Sequence, residues 1–245
     1  MRVKNKVTII TGGGKGLGRE IAEVLADAGH PVFICGREKR SLRQTCEKIR
    51  KNGGVCEYLP LDIARKTGTD AIAHSMLRRF GRIDVLVNNA GWCGKPKPLE
   101  KVRDSEYERY FATNVRSAFW LMRRIIPLMR KQRSGIIVNI SSTAGHRANS
   151  ILPIYSATKF ALRALTQAVG KDAGKRAPLC VSVSPGGMNT AMRRALFGKK
   201  DADTQQSPAA VADSVKKIIN GEVSVPNGGD VMVRDGKIVS VTPPS

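Results

Sequence analysis

Tyr155 and Lys159 stand four apart in Ile154-Tyr155-Ser156-Ala157-Thr158-Lys159-Phe160, with Ser142 thirteen residues upstream and Asn114 earlier still. On a helix, positions i and i+4 share a face, which sets the Lys159 ammonium beside the Tyr155 phenol. A phenol titrates near pKa ~10, and a neighbouring positive charge favours the phenolate, drawing the value toward the range where proton transfer is efficient. The expected chemistry is general acid–base catalysis by an activated tyrosine. The pair alone carries little, because in a chain this rich in lysine about one tyrosine in ten meets such a partner by chance. Its weight comes from the elements around it.

Short β-branched runs at 7–10, 31–35, 55–59, 83–87, 136–140, 179–183 and 231–233 alternate with helix-like stretches at 16–28, 38–51, 68–80, 104–130, 154–171 and 208–219. Strands apolar almost throughout, each followed by a helix, predict a parallel sheet covered on both faces and wound right-handed. The expected fold is α/β, a Rossmann-type doubly wound sheet of about seven strands. With no repeat, low-complexity tract or linker, residues 1–245 read as one domain. Ligands of such sheets bind outside the carboxyl ends of the strands, so the loops 88–103, 141–153 and 185–206 frame the expected site.

Thr11-Gly12-Gly13-Gly14-Lys15-Gly16-Leu17-Gly18 follows the first strand and opens the first helix. Glycines there let the backbone turn tightly and approach a pyrophosphate, whose charge sits at the positive helix N-terminus. After the second strand, Cys35-Gly36-Arg37 occupies the place where an NAD site presents an acid to the ribose 2′-hydroxyl. Arg37 and Lys15 instead suit a 2′-phosphate, so NADP(H) is the expected cofactor. Asp62, followed by Ile63, ends the third strand, where its carboxylate can meet the adenine amino group or cap the next segment. Asn88-Asn89-Ala90-Gly91 ends the fourth, with amides that can tie neighbouring strands and small residues that let a cofactor lie against the backbone.

Composition narrows the class. Hydrophobic residues make up 41% of the 245, enough for a sizeable core, and the longest apolar runs are strand-length, too short to span a bilayer. Met1-Arg2-Val3-Lys4-Asn5-Lys6 leads into no long apolar signal region, so a cytoplasmic protein is expected. Cys35, Cys46, Cys56, Cys93 and Cys180 are scattered and form no Cys-x-x-Cys pair, which argues against a disulfide framework and a zinc site and reads as thiols in a reducing compartment. His30, His74 and His146 have no partner at ligand spacing, so no metal is implied. The formal net charge of +22 raises polyanion binding, yet no helix-turn-helix, zinc finger or interleaved aromatic pattern accompanies it, and most basic clusters read as solvated faces.

Taken together, the ordered set Thr11 to Gly18, Asp62, Asn88 to Gly91, Asn114, Ser142, Tyr155-x-x-x-Lys159 and Pro185-Gly186 with Thr190 resembles the short-chain dehydrogenase/reductase family, in its single-domain, 3-oxoacyl-carrier-protein-reductase-like branch. The resemblance implies a hydride-transfer site interconverting a carbonyl and a secondary alcohol. In it Tyr155 is the general acid or base, Ser142 holds the carbonyl oxygen, Lys159 holds the nicotinamide ribose and lowers the Tyr155 pKa, and Asn114 supports a water relay to Lys159. It further implies that Pro185, Gly186, Met188 and Thr190 line the nicotinamide side, and that the chain forms a homotetramer or dimer through the helices of Asn114 and Tyr155. Phe111, Phe119, Trp120, Met122 and Leu162 on those helices are read as core.

Two departures from the family pattern stand out. Residues 225–245 lack an Asp-Gly-Gly ending and instead place Asp235-Gly236 between apolar runs, the signature of a hairpin. The short segment 188–206 carries Arg193, Arg194, Lys199 and Lys200, which predicts a compact, positive lid. His146, Arg147, Trp92, Lys95, Lys97, Met188 and Arg193 are expected nearest the substrate, and their cations suggest an acidic or carrier-bound compound such as a 3-oxoacyl thioester. The competing reading is a dinucleotide-fold binding or regulatory protein that uses its basic faces for polyanions or nucleic acid.

Overall fold

A computed structural model describes residues 5–172 and 178–244. Residues 1–4 of the stretch read for a signal segment, and Ser245 of the tail, lie outside it. The chain runs β1 (Thr8–Thr11), α1 (Gly16–Asp27), β2 (Val32–Gly36), α2 (Lys39–Lys51), β3 (Cys56–Pro60), α3 (Lys66–Phe80) and β4 (Val85–Asn88). It continues through α4 (Asp104–Phe111), a π-helical turn (Ala112–Arg116), α5 (Ser117–Gln132), β5 (Ile136–Ile140), α6 (Pro153–Lys171) and β6 (Leu179–Pro185). The last elements are α7 (Ala191–Asp203), α8 (Pro208–Asn220), β7 (Asp230–Arg234) and β8 (Lys237–Thr242).

The strands form one sheet in the order β3-β2-β1-β4-β5-β6-β7-β8. Pairs from β3 to β7 are parallel, and β8 returns antiparallel to β7. Every residue of β1 and β4 is buried, as strands covered on both faces require. On one face Ile21, Leu25, Leu42, Val211, Val215 and Ile218 from α1, α2 and α8 pack on the sheet, and on the other Ile72, Met76, Leu121, Ile125, Met129 and Leu162 from α3, α5 and α6 do so. Strand order reverses between β1 and β4, and the crevice that this opens at their carboxyl ends is the place such a sheet offers a ligand.

Four expectations change. The sheet has eight strands rather than about seven, because the Asp235-Gly236 turn closes a real hairpin, with Asp235 and Gly236 both at positive φ. The loop 185–206 contains the helix α7, whose large apolar residues Met192, Leu196 and Phe197 have a lysine- and arginine-rich setting that hides the helical period. The single helix expected over 104–130 is interrupted at Ala112–Arg116 by the π-helical turn. Finally, Cys46 of α2 and Cys56 of β3 form a disulfide, their Cα atoms 5.2 Å apart, because the turn after α2 folds β3 back against it. Ten residues of separation match no short cysteine motif, and the bridge removes the ground on which the cysteines pointed to a reducing compartment. Cys35, Cys93 and Cys180 are free and buried. Among the described residues no helix is long and apolar enough to cross a membrane.

Candidate active site

The crevice is a cavity of about 400 Å³ whose lining runs from Gly12 to Gly18, past Arg37, Asp62 and Ile63, along Asn89, Ala90 and Gly91, to Tyr155, Lys159, Met188 and Thr190. Its floor is the turn between β1 and α1. Gly12 has φ 70°, a left-handed conformation that disfavours a side chain, and Gly18 sits so close to the preceding turn that a Cβ there would lie 2.3 Å from the Gly12 carbonyl oxygen. Lys15 precedes α1 without a side-chain cap, so the first amide N–H groups of the helix face the cavity unpaired by any cap. Such a terminus suits a pyrophosphate.

Two asparagines hold the opposite wall. Asn88 donates to the Asn139 side-chain oxygen at 2.8 Å and ties β4 to β5, while Asn89 donates to the Thr11 carbonyl at 2.8 Å. Thr11 in turn accepts from the backbone N–H groups of Asn89 and Ala90, both at 3.0 Å. These bonds fix the small residues Ala90 and Gly91 at the cavity edge.

At the far end stand the acid–base candidates. Tyr155 stands beside Ser142, whose hydroxyl accepts from the Ala144 N–H at 3.1 Å. Lys159, one helical turn beyond Tyr155 and 4% exposed, donates to the Ile140 carbonyl at 2.7 Å, its nitrogen 5.5 Å from the centre of the Tyr155 ring. Asn114 sits in the π-helical turn, a device that recurs at functional sites because it re-aims a side chain. It accepts from the Trp92 N–H at 2.7 Å and donates to the Trp92 carbonyl and the Thr158 hydroxyl, both at 3.0 Å.

The expected acidification of the phenol is absent. Burial raises the Tyr155 pKa, with Cys93 and Tyr110 adding to it and the Ser142 hydroxyl opposing. Lys159 itself is lowered to about 8 by burial, partly offset by Cys93. Withdrawal from water dominates the shift. At neutral pH the pair is therefore a protonated phenol beside a largely charged amine.

A sequence model of the short chain dehydrogenases matches residues 6–201. The chain belongs to the short-chain dehydrogenase family. Among relatives of this dehydrogenase, an NADPH-dependent pterin aldehyde reductase of Arabidopsis thaliana is 31% identical, with 94% of each chain covered. A cyclopentanol dehydrogenase of Comamonas sp. (strain NCIMB 9872) is 32% identical over 96% of this chain and 98% of the relative. The crystal structure of a 3-ketoacyl-(acyl-carrier-protein) reductase from Brucella melitensis complexed with NADH superposes with a TM-score of 0.88 at 27% identity, covering 96% of this chain and 98% of that one.

The dehydrogenase brings together most residues singled out in its sequence. Gly12, Gly14, Lys15, Gly16, Leu17, Gly18, Arg37, Asp62, Ile63, Asn89, Ala90, Gly91, Tyr155, Lys159, Met188 and Thr190 all line the cavity. Asn114 and Ser142 do not, and neither do Pro185 and Gly186. There the chain still runs beside β7, with the Gly186 N–H on the Val233 carbonyl at 2.9 Å, and turns toward the cavity only later. Asp62 also caps the following turn by accepting from Ala64 at 3.0 Å.

Other corrections concern charge. Lys15 is ion-paired with Glu38, an acid one residue beyond Arg37 that the search at the strand end missed, and Glu38 lines the cavity with Ser41 and Leu42. His146, expected beside the substrate, turns instead to Asp230 of β7 at 2.8 Å. Asp230 is buried and also accepts from Ser182 and Ser184 of β6, so it draws the histidine away. Lys97 bonds Glu106 at 2.9 Å, and Arg193 is paired with Asp201. Of the helix residues read as core, Met122 and Leu162 are buried, whereas Phe119 is 40% exposed.

Proposed function

We propose that this short-chain dehydrogenase is an NADP(H)-dependent carbonyl reductase in which Tyr155 is the proton donor, with reduction favoured at neutral pH. The observation that carries the proposal is the half-buried phenol beside Ser142 at the inner end of the cavity, kept protonated by withdrawal from water. The dinucleotide, held along the uncapped N-terminus of α1 and the Asn89–Gly91 edge, supplies a hydride. The chain's own residues do the rest. Ser142 and Tyr155 hydrogen-bond the carbonyl oxygen, and the phenol passes its proton to that oxygen as negative charge develops there. Lys159 keeps a positive charge close to the Tyr155 ring and restrains the phenolate left behind. Asn114 acts as a positioning residue, clamping the backbone at Trp92 through both faces of its amide.

Arg37 supports NADP(H) over NAD(H): it is exposed at the cavity rim and has no ion-pair partner among the described residues, so its planar fork remains available to a 2′-phosphate. The NADPH dependence in the name of the Arabidopsis relative agrees with this, while Glu38 favours a 2′-hydroxyl and is opposed by Lys15. A homo-oligomer, dimer or tetramer, belongs to the same proposal, with Phe119 of α5 and Phe160 of α6 as exposed aromatic contacts on the helices that carry the site.

The test pairs NADPH and NADH binding with turnover of carbonyl compounds and of the matching alcohols, for the wild type and Tyr155→Phe. Expected are tighter NADPH binding, reduction faster than oxidation at pH 7, and a loss of about a thousandfold in turnover in the variant with NADPH affinity kept. Turnover surviving in Tyr155→Phe refutes the role of the phenol. Salt-steep nucleic-acid binding with no turnover of any compound favours the polyanion-binding alternative.

A further inference from the structure

Tyr155 faces two environments. Toward Lys159 it meets the cofactor cavity, and on another side it packs into an apolar cluster of Cys93, Tyr110 and Leu152 with Trp92, Ile154, Leu196 and Phe197. Several of these side chains are aromatic or branched, and the Trp92 and Tyr110 rings meet at 4.5 Å. Leu196 and Phe197 come from α7, and Gly198, with φ 86° and ψ 170°, breaks the helix just after them, so the stretch closing on Tyr155 is separated from the rest of α7.

Most cations near this cluster are engaged. Arg193 is ion-paired with Asp201 and lies 4.3 Å above the Phe197 ring, and Arg109 lies 4.3 Å above the Trp92 ring. Lys97 is held on Glu106 at 2.9 Å, with Arg103 on the same carboxylate at 3.2 Å, and these contacts pull the Glu106 pKa down to about 2. His146 is on Asp230. Of the residues expected to read an acidic group, only the exposed Lys95 and Arg147 have no acidic partner among the described residues. A carboxylate entering this wall loses its water and meets as unpaired charges only Lys95 and Arg147, both exposed to solvent, and Arg109, which lies flat on Trp92, whereas an apolar ring gains contact on flat aromatic faces.

Resting on the hydride-transfer reading above, we infer that the substrate is an uncharged ketone or aldehyde borne on an aliphatic or aromatic ring, seated against the half-buried Trp92, Leu196 and Phe197 that Tyr110 and Leu152 back from within. In the forward step hydride forms a C–H bond at the carbonyl carbon, the C=O π pair moves to oxygen, and the Tyr155 proton completes the alcohol. The nicotinamide is oxidised and the carbonyl reduced. Selection against acids and carrier thioesters follows from the wall rather than from the catalytic groups.

The experiment measures NADPH oxidation with cyclic and aryl ketones, with 2-oxo and 3-oxo acids of matched carbon number, and with a 3-oxoacyl pantetheine thioester, alongside NADPH binding by titration. Ring ketones are expected to exceed the acids in kcat/KM by a factor of about 100 or more. Phe197→Ala and the milder Phe197→Leu are expected to lower kcat/KM for ring ketones about tenfold more than for a short aldehyde, through KM. Preference for acids or for the thioester, or equal losses for ring and short substrates in both variants, overturns the substrate assignment and leaves the proton-donor role of Tyr155 standing. NADPH binding without reduction of any carbonyl compound overturns both.

Discussion

Replacing Lys159 by methionine is expected to make the unliganded protein more stable at neutral pH. Burial lowers the Lys159 pKa from 10.5 to about 8. At about 1.4 kcal/mol per pKa unit, carrying the charged amine at pH 7 costs the folded state about 3 kcal/mol relative to the unfolded chain. Methionine fills a similar volume without that cost but gives up the hydrogen bond to the Ile140 carbonyl, about 1 kcal/mol. Lys159→Met should therefore gain about 2 kcal/mol at pH 7. Between pH 8 and 10.5 the unfolded chain binds the proton that the folded protein has released, so wild-type stability rises with pH through that window and the variant's advantage shrinks to about zero near pH 10. Urea unfolding of both proteins at pH 7 and pH 10 reads the difference directly, and titrations common to both cancel. A variant less stable than wild type at pH 7, or an advantage unchanged at pH 10, would refute the idea that the site holds Lys159 against a desolvation penalty.

Gly18→Ala is expected to lower stability by about 2 kcal/mol and to weaken NADPH binding at least tenfold, since the new methyl meets the Gly12 carbonyl at 2.3 Å and the Asn89 amide at 2.5 Å, and the first of these is backbone. Thermal unfolding and cofactor titration check it, and wild-type values for both would remove the close-approach argument. Asp230→Asn is expected to cost about 3 kcal/mol in urea unfolding, because it leaves the largely buried Arg163, 3.6 Å away and with a buried Nε lacking any hydrogen bond, without its counter-charge. A change under about 0.5 kcal/mol would show that Arg163 does not depend on that carboxylate.

Features written as local spacing were legible before folding. The strand–helix alternation, the glycine turn, the Tyr155–Lys159 helical pair and the Asp235-Gly236 hairpin each depend on residues a few positions apart, and the structure places them where the pattern points. What escaped depends on contacts between distant segments. His146 looked like a substrate-loop residue until Asp230, 84 residues later, was folded beneath it. Cys46 and Cys56 meet only because β3 pairs with β2 and brings the chain back under α2. The acidity of Tyr155 escaped for the same reason: the four-residue spacing to Lys159 is local, but the burial that overrides it comes from packing against Cys93, Tyr110 and Leu152, mostly supplied by other parts of the chain. Glu38 was adjacent to Arg37 all along, and its importance came from the ion pair with Lys15 across the cavity mouth.

The protonation state of the site and the character of its substrate share one physical cause. The apolar packing of Cys93, Tyr110 and Leu152 around Tyr155 denies water to the phenolate, so the phenol keeps its proton and is ready to give it to a carbonyl oxygen. The same packing denies water to a carboxylate on an incoming molecule, and of the cations that could replace that water Arg193, Lys97 and Arg109 are held on Asp201, Glu106 and aromatic rings, which leaves the exposed Lys95 and Arg147. Removing the dryness would relax both properties at once: a phenol easier to ionise, better suited to alcohol oxidation, and a pocket more tolerant of charge. On the mechanism and substrate proposed here, the wall that Leu196 and Phe197 close over Tyr155 would couple the direction of proton transfer to the polarity of what the site accepts.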